Sequence, residues 1–173
     1  MESLPGYLLT EAQNINVIKD DTLEVEIYMK QKTRDLLFEL TVKEGDPNRI
    51  SNITGTLSGI VGSFDLSSQR ICGEAMNTSF PFARTNDKVT AHTRLLGTTG
   101  LKQSLRIDLT FTDGSSQTIE NDLTDLLKNF NDDMPTPMYI TGDLLTPIEA
   151  DMTATIVGWE NGNEENGENI EIY

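Results

Sequence analysis

Residues 103–112 read QSLRIDLTFT, and the strict alternation of polar and apolar side chains in this stretch decides the fold of the chain. Successive side chains of a β-strand point to opposite faces of a sheet, so Leu105, Ile107, Leu109 and Phe111 would share one face. The polar residues between them would share the other face. The stretch therefore predicts a half-buried strand, with one face in a core and the other in water.

The same alternation recurs along most of the chain. Further strands are predicted at residues 23–29, 36–42, 53–61, 89–95, 138–144, 150–156 and 170–172, with weaker candidates at 15–18, 71–80 and 117–121. Gly55 and Gly59 interrupt the strand at 53–61 and indicate a β-bulge or a close backbone approach. Asp113 and Gly114 form the strongest hairpin signal, because glycine accepts the positive φ of a tight turn.

This series of about eight strands predicts an all-β fold. Short strands separated by turn signals are typical of an antiparallel β-sandwich, here of the immunoglobulin-like or transthyretin-like type with Greek-key connections. One segment departs from the alternation, because the apolar residues between Leu123 and Phe130 recur at helical spacing. It predicts one short helix near residues 122–131, with Asn121 or Asp122 as the N-cap.

Length and composition favour one domain. A chain of 173 residues buries roughly 70% of the surface that its unfolded form exposes, so it needs no disulfide or metal to fold. We expect residues 1–21 to form an extended N-terminal segment, either mobile or an edge strand, and residues 22–173 to form a single β-sandwich domain. The single cysteine, Cys72, excludes an internal disulfide and is expected to be a small buried apolar residue.

The charge balance limits the possible partners. The chain has 28 acidic and 13 basic residues, which give a formal net charge of −15. Binding to nucleic acid or to an anionic membrane surface depends on lysine and arginine, so both are disfavoured. No apolar run approaches the ~20 residues that cross a bilayer. Residues 1–7 lack the features of a signal peptide, so we expect either a cytosolic protein or a mature form without its leader.

No catalytic, cofactor-binding or metal-binding motif stands out, so we expect no enzymatic activity, no cofactor and no metal. His92 is the only histidine and falls on the polar side of its strand, where it is expected to be a surface residue rather than a catalytic base. The stretch Asn129–Asp133 could offer oxygen ligands to calcium. Its spacing does not match an EF-hand loop, which favours a solvated loop.

Several stretches resemble the fimbrillin-like, FimB/Mfa2-type fimbrial subunit family of Bacteroides and its relatives. They are Arg49–Leu66, Leu95–Gly97, Leu109–Gly114 followed by Leu123–Thr124, and the closing Ile156–Trp159. The resemblance implies an exported protein, lipid-anchored in its full-length form, at the bacterial outer membrane and cell surface. It also implies transthyretin-like domains that build or anchor fimbriae and pair strands with neighbouring subunits. The chain departs from the larger family members by holding one full sandwich rather than two.

The first hypothesis for function is therefore a cell-surface structural or adhesion protein that acts as a fimbrial subunit, anchor or accessory component. Its expected partners are other fimbrial or surface subunits, with a host or glycan ligand as a further possibility. The alternative is a carbohydrate-binding β-sandwich module, which would need an exposed row among the aromatic residues. These are Tyr7, Tyr28, Tyr139, Trp159 and Tyr173. A hydrolase with paired carboxylates ranks last, because nothing selects one acidic pair from so many.

Overall fold

A computed structural model describes residues 5–19, 22–148 and 152–162 of the chain. Strands dominate this part of the protein, together with a 3-10 turn at Pro47–Arg49 and a helix, α1, at Thr124–Leu127. The strands are β1 (Leu9–Thr10), β2 (Lys30–Gln31), β3 (Arg34–Glu44), β4 (Ile50–Asp65), β5 (Arg70–Pro81), β6 (Ala83–Thr85), β7 (Lys88–Leu95), β8 (Ser104–Phe111), β9 (Ser116–Asp122), β10 (Met138–Leu145) and β11 (Thr155–Gly162).

Two sheets form the body of the molecule. The five-stranded sheet has the order β11-β10-β3-β7-β6, the four-stranded sheet has the order β5-β4-β8-β9, and β1 and β2 form a separate pair. All the pairs are antiparallel except β3 with β10, which run parallel. The prediction of an all-β sandwich is confirmed.

Strand β8, which contains most of residues 103–112, is one of the two inner strands of the four-stranded sheet. In β8, Leu105, Ile107 and Leu109 are fully buried, while the residues between them are exposed or half-buried. The prediction of one wet and one dry face is therefore confirmed. The predicted hairpin is also present, because β8 pairs with β9 across a turn in which Gly114 has a φ of 84°.

The core lies between the two sheets. Phe38 of the five-stranded sheet stacks on Phe80 with ring centroids 5.6 Å apart, and Phe82 packs against both rings. Strand β3 is buried on both faces, although alternation predicted a polar outer face. The reason is that side chains of β7 cover the outer residues of β3. One of these contacts is the ion pair of Lys88 with the buried Glu39.

Several strand predictions are wrong in detail. Residues 22–29 and 15–18 form no strand, and Leu23 and Ile27 remain 57% and 49% exposed, so these apolar side chains do not join the core. The strand predicted at 150–156 begins only at Thr155 and continues to Gly162. The strand predicted at 170–172 lies outside the described residues. The weaker candidates at 71–80 and 117–121 are confirmed as β5 and β9.

The predicted β-bulge at Gly59 is confirmed, whereas the predicted helix near residues 122–131 is shorter than expected. The register of β4 against β5 shifts between Leu57 and Ile60, beside Gly59 with its φ of 72°, as the bulge prediction required. The helix predicted near 122–131 has only four residues, and its N-cap position is Leu123, without a side-chain cap. Asp122 nevertheless accepts a hydrogen bond from the N–H of Thr124 at 2.9 Å. The helix ends early because the chain turns at residues 128–132.

Candidate functional site

A groove of about 930 Å³ opens between three parts of the chain that are distant in sequence. The first part is the β1–β2 pair, which contributes Leu9 and residues 29–32. The second is the outer end of the β4–β5 hairpin, with Phe64 and residues 69–71. The third is the loop at residues 131–135. We call this space the groove, and its hairpin and loop sides the hairpin wall and the loop wall.

The hairpin wall is shaped by a tight turn. Asp65 accepts hydrogen bonds from the N–H of Ser67 at 2.8 Å and from the hydroxyl of Ser68 at 2.7 Å. Gln69 completes the turn in the left-handed region, with a φ of 54°, which is uncommon for a residue with a side chain. The turn brings Phe64 opposite Ile71 on the two paired strands. Both side chains therefore enter the groove from the same face of the hairpin.

The loop wall is held by the buried side chain of Arg34. Its guanidinium donates to the carbonyl oxygen of Thr136 at 2.6 Å and to that of Phe130 at 2.8 Å, and it lies 5.5 Å from the Phe130 ring. Burial lowers the pKa of Arg34, against the raising effect of Asp133 and Asp132. Because one buried cation binds carbonyl groups on both sides of residues 131–135, both ends of the loop wall are held in place.

Positive and negative side chains lie on different sides of the groove. Lys32 and Arg70 lie on the side of the β1–β2 pair and the hairpin, whereas Asp132 and Asp133 belong to the loop wall. Among the described residues, none of these four side chains has an ion-pair partner within 4 Å. The ammonium of Lys32 lies 5.3 Å from the centre of the Phe64 ring. The groove thus combines an apolar surface with charges of both signs that have no direct ion-pair partner among the described residues.

A second polar cluster fastens the N-terminal segment to the five-stranded sheet. Asp35, only 4% exposed, accepts hydrogen bonds from the hydroxyl of Tyr7 at 2.7 Å and from Nε of Arg94 at 2.7 Å. Nε2 of His92 lies 3.0 Å from the same carboxylate. Arg94 also donates to the carbonyl oxygen of Pro5 and stacks on the Tyr7 ring at 3.5 Å. We call these four side chains, Tyr7, Asp35, His92 and Arg94, the Asp35 cluster.

The electrostatics of the Asp35 cluster favour an ionised carboxylate. Burial alone would raise the pKa of Asp35. Hydrogen bonds from Arg94, Tyr7 and His92 outweigh that effect and hold the pKa of Asp35 below its usual range. The hydrogen bond between Tyr7 and Asp35 has the opposite effect on the tyrosine, because it raises the pKa of Tyr7. The cluster is therefore an anion held between positively charged and polar groups.

The structure corrects the predicted positions of two residues. His92 was expected at the surface, but its side chain is only 12% exposed, because antiparallel pairing of β7 with β3 places it beside Asp35. Cys72 was expected to be buried, but it is exposed, because β5 is an edge strand whose residues 72–77 are all exposed. The sequence does contain the charged partners of His92, which are Asp35 and Arg94. Their wide separation along the chain does not reveal that β3 and β7 pair and bring them together.

The other candidates lie in separate places. Tyr7 is part of the Asp35 cluster, Tyr28 is 76% exposed, and Trp159 packs against the core, while Tyr173 falls outside the described residues. In the loop at 129–133, Asn131 exchanges hydrogen bonds with the backbone of Thr98. Within the described part of the chain, no three acidic, histidine or cysteine side chains come together as metal ligands.

Within the described residues, no helix is long and apolar enough to cross a membrane.

Three solved structures share the fold of the chain. They are a candidate adhesin from Bacteroides ovatus (TM-score 0.57, 13% identity, 83% of this chain and 55% of that one), a candidate cell adhesion protein from Bacteroides fragilis (0.51, 17%, 78% and 47%) and the fimbrial anchor protein Mfa2 from Porphyromonas gingivalis (0.51, 15%, 77% and 47%). The chain therefore spans about half the length of each. A comparison with curated protein sequences gave no significant match.

The family comparison covers most of the chain. A sequence model of the Fimbrillin-A associated anchor proteins Mfa1 and Mfa2 matches residues 5–165. This range contains both sheets, the groove and the Asp35 cluster. It also contains every stretch on which the resemblance in sequence was based. The chain belongs to the family of Fimbrillin-A associated anchor proteins Mfa1 and Mfa2.

Proposed function

We propose that this protein is a cell-surface component of a bacterial fimbria, with the role of an anchor or accessory subunit. The observation that carries the proposal is the family match over residues 5–165. In this role the protein is exported, is lipid-anchored in its full-length form and acts at the surface of the outer membrane. Its net charge of −15 suits such an exposed position, because like charges keep copies of a surface protein apart.

We further propose that it joins neighbouring subunits through the free edge of the four-stranded sheet. Strand β5 pairs with β4 alone among the described strands, and its residues 72–77 are exposed. The unpaired backbone groups of such an edge can accept a strand from another chain. Gly73, with a φ of 100°, bends the edge near its start. A bend of this kind limits indiscriminate pairing between copies.

Location and role are tested in a bacterium that carries the gene. An epitope-tagged copy is expected in the outer-membrane fraction, labelled by palmitate analogues and degraded when intact cells are treated with protease. Deletion of the gene is expected to release fimbriae from the cells or to reduce their number, and re-expression should restore them. A tagged protein that resists protease on intact cells, together with unchanged fimbriae in the deletion strain, would contradict the proposal.

The proposed edge is tested by cross-linking. Cys72 lies on β5 and is exposed, so a benzophenone maleimide can be attached there without any mutation. The matched control is C72S/R106C, which moves the label to an exposed position on β8, a strand paired on both sides. We expect fimbrial subunits to be captured from Cys72 and not from position 106. Equal capture from both positions would refute pairing at this edge.

A further inference from the structure

The groove has the size and the surface of a binding site. Its volume of about 930 Å³ lies within the range of roughly 300–1,000 Å³ that ligand sites occupy. Leu9 and Met29, which line it, are 50% and 57% exposed. Phe64 and Met134 add further apolar surface. Covering these side chains would remove apolar surface from water, which is the main favourable term in association.

The charges of the groove restrict what can cover it. A purely apolar ligand would offer no partner to Lys32, Arg70, Asp132 and Asp133, and any of these charges that it covered would lose hydration without compensation. A polyanion would meet the two carboxylates of the loop wall and a protein of net charge −15. A polycation would meet Lys32 and Arg70. Only a ligand that carries both charges on an apolar body satisfies all four groups.

We propose that the groove binds a short peptide segment of another protein in which an apolar residue lies between an acidic and a basic one. The acidic side chain pairs with Lys32 and Arg70, the basic one pairs with Asp132 and Asp133, and the apolar one contacts Phe64. The loop wall needs little rearrangement, because Arg34 already holds both its ends, and a preformed site costs less to occupy.

This inference does not rest on the proposed fimbrial role. The groove uses side chains at the outer end of the β4–β5 hairpin, whereas the strand addition proposed above uses the backbone edge of β5. Peptide binding therefore fails or succeeds independently of the gene-deletion experiment.

The test is fluorescence anisotropy with the full chain and short labelled peptides with blocked ends. The charged probes are Lys-Leu-Val-Leu-Glu and its reverse, since either chain direction satisfies the charges. The neutral probe is Gln-Leu-Val-Leu-Gln, and two further probes carry only acidic or only basic ends. We expect at least one mixed-charge probe to bind about tenfold more tightly than the neutral, all-acidic and all-basic probes.

Two charge-neutralising variants locate the site. K32Q/R70Q and D132N/D133N should each weaken binding of the mixed-charge probe by about tenfold or more, whereas the matched control K19Q/K102Q, at exposed lysines outside the groove, should leave it unchanged. Urea unfolding of each variant verifies the fold. In the unmodified protein, binding should also weaken as salt rises from about 0.05 to 0.5 M, because exposed charges are screened.

Three results would overturn the proposal. The first is no saturable binding of any mixed-charge probe up to about 1 mM. The second is equal affinity for the neutral or single-sign probes. The third is a loss of binding in K32Q/R70Q with none in D132N/D133N, since the loop wall would then play no part.

Discussion

Replacing Asp35 with asparagine tests whether the Asp35 cluster stabilises the fold. The substitution keeps the shape of the side chain but removes its negative charge. Arg94, whose side chain is only 8% exposed, would then be a buried cation without its counter-ion. Removing one partner of a buried pair costs about 3–5 kcal/mol. A domain of this kind has a total stability of about 5–15 kcal/mol, so the loss would be a large share of it.

The matched control is Asp108→Asn. Asp108 also accepts from an arginine, Arg106 at 3.0 Å, and from a hydroxyl, that of Thr118 at 2.6 Å. Its pair is exposed, with 43% and 53% of the two side chains in contact with solvent. An exposed pair contributes about 0–1 kcal/mol, so the control isolates the effect of burial from that of the chemistry.

The measurement is the free energy of unfolding in urea, taken over a range of pH. Because the folded pKa of Asp35 is lowered, its contribution is fully present above the unfolded pKa near 4 and is lost as pH falls through the folded pKa. The difference between the unmodified protein and D35N should therefore shrink as the pH falls below about 4. A loss below about 1 kcal/mol at pH 7, equal to that of D108N, would refute this account.

Three further predictions concern packing, backbone conformation and exposure. Phe38→Ala, at the fully buried centre of the aromatic group, should cost about 3–5 kcal/mol in urea unfolding, whereas Tyr28→Ala should cost less than about 0.5. Gly59→Ala should cost about 2–4 kcal/mol, because the positive φ alone costs about 1 and the added Cβ would also lie 2.4 Å from a backbone oxygen, an overlap that costs about 1–3 more. Gly114→Ala, with open space around it, should cost only about 1, and equal losses would contradict the clash. Cys72 should react with Ellman's reagent in the folded protein about as fast as in urea; a rate more than about tenfold slower would show that it is shielded.

The sequence predicted strands best where one face of the strand is exposed to solvent. Leu105 to Phe111 could be read correctly, because β8 is an inner strand of a sheet with one open face. Leu37 and Glu39 could not be read in this way, because the outer face of β3 is covered. The segment at 22–29 has a strand-like alternation but pairs with none of the described strands, so its pattern alone was misleading.

Neither the groove nor the Asp35 cluster could be predicted from the sequence, because each joins residues that are far apart along the chain. The groove joins the β1–β2 pair, a hairpin and a loop, and only the folded sheets bring these together. The Asp35 cluster depends on the pairing of Asp35 with Arg94, which are opposite each other in the register of β3 and β7. No periodic pattern in the sequence marks such cross-strand pairs, because the register is set by the whole sheet. Family membership, by contrast, was visible in short strand-and-turn stretches such as Arg49–Leu66.

The parallel pairing of β3 with β10 has a consequence for how the chain folds. Leu36 lies beside Met138, so the two strands are separated by roughly 100 residues, and contacts of this kind slow folding. During synthesis, β3 would emerge long before β10 and would wait with one side of its backbone unsatisfied. We therefore expect the five-stranded sheet to close only when nearly the whole chain has emerged.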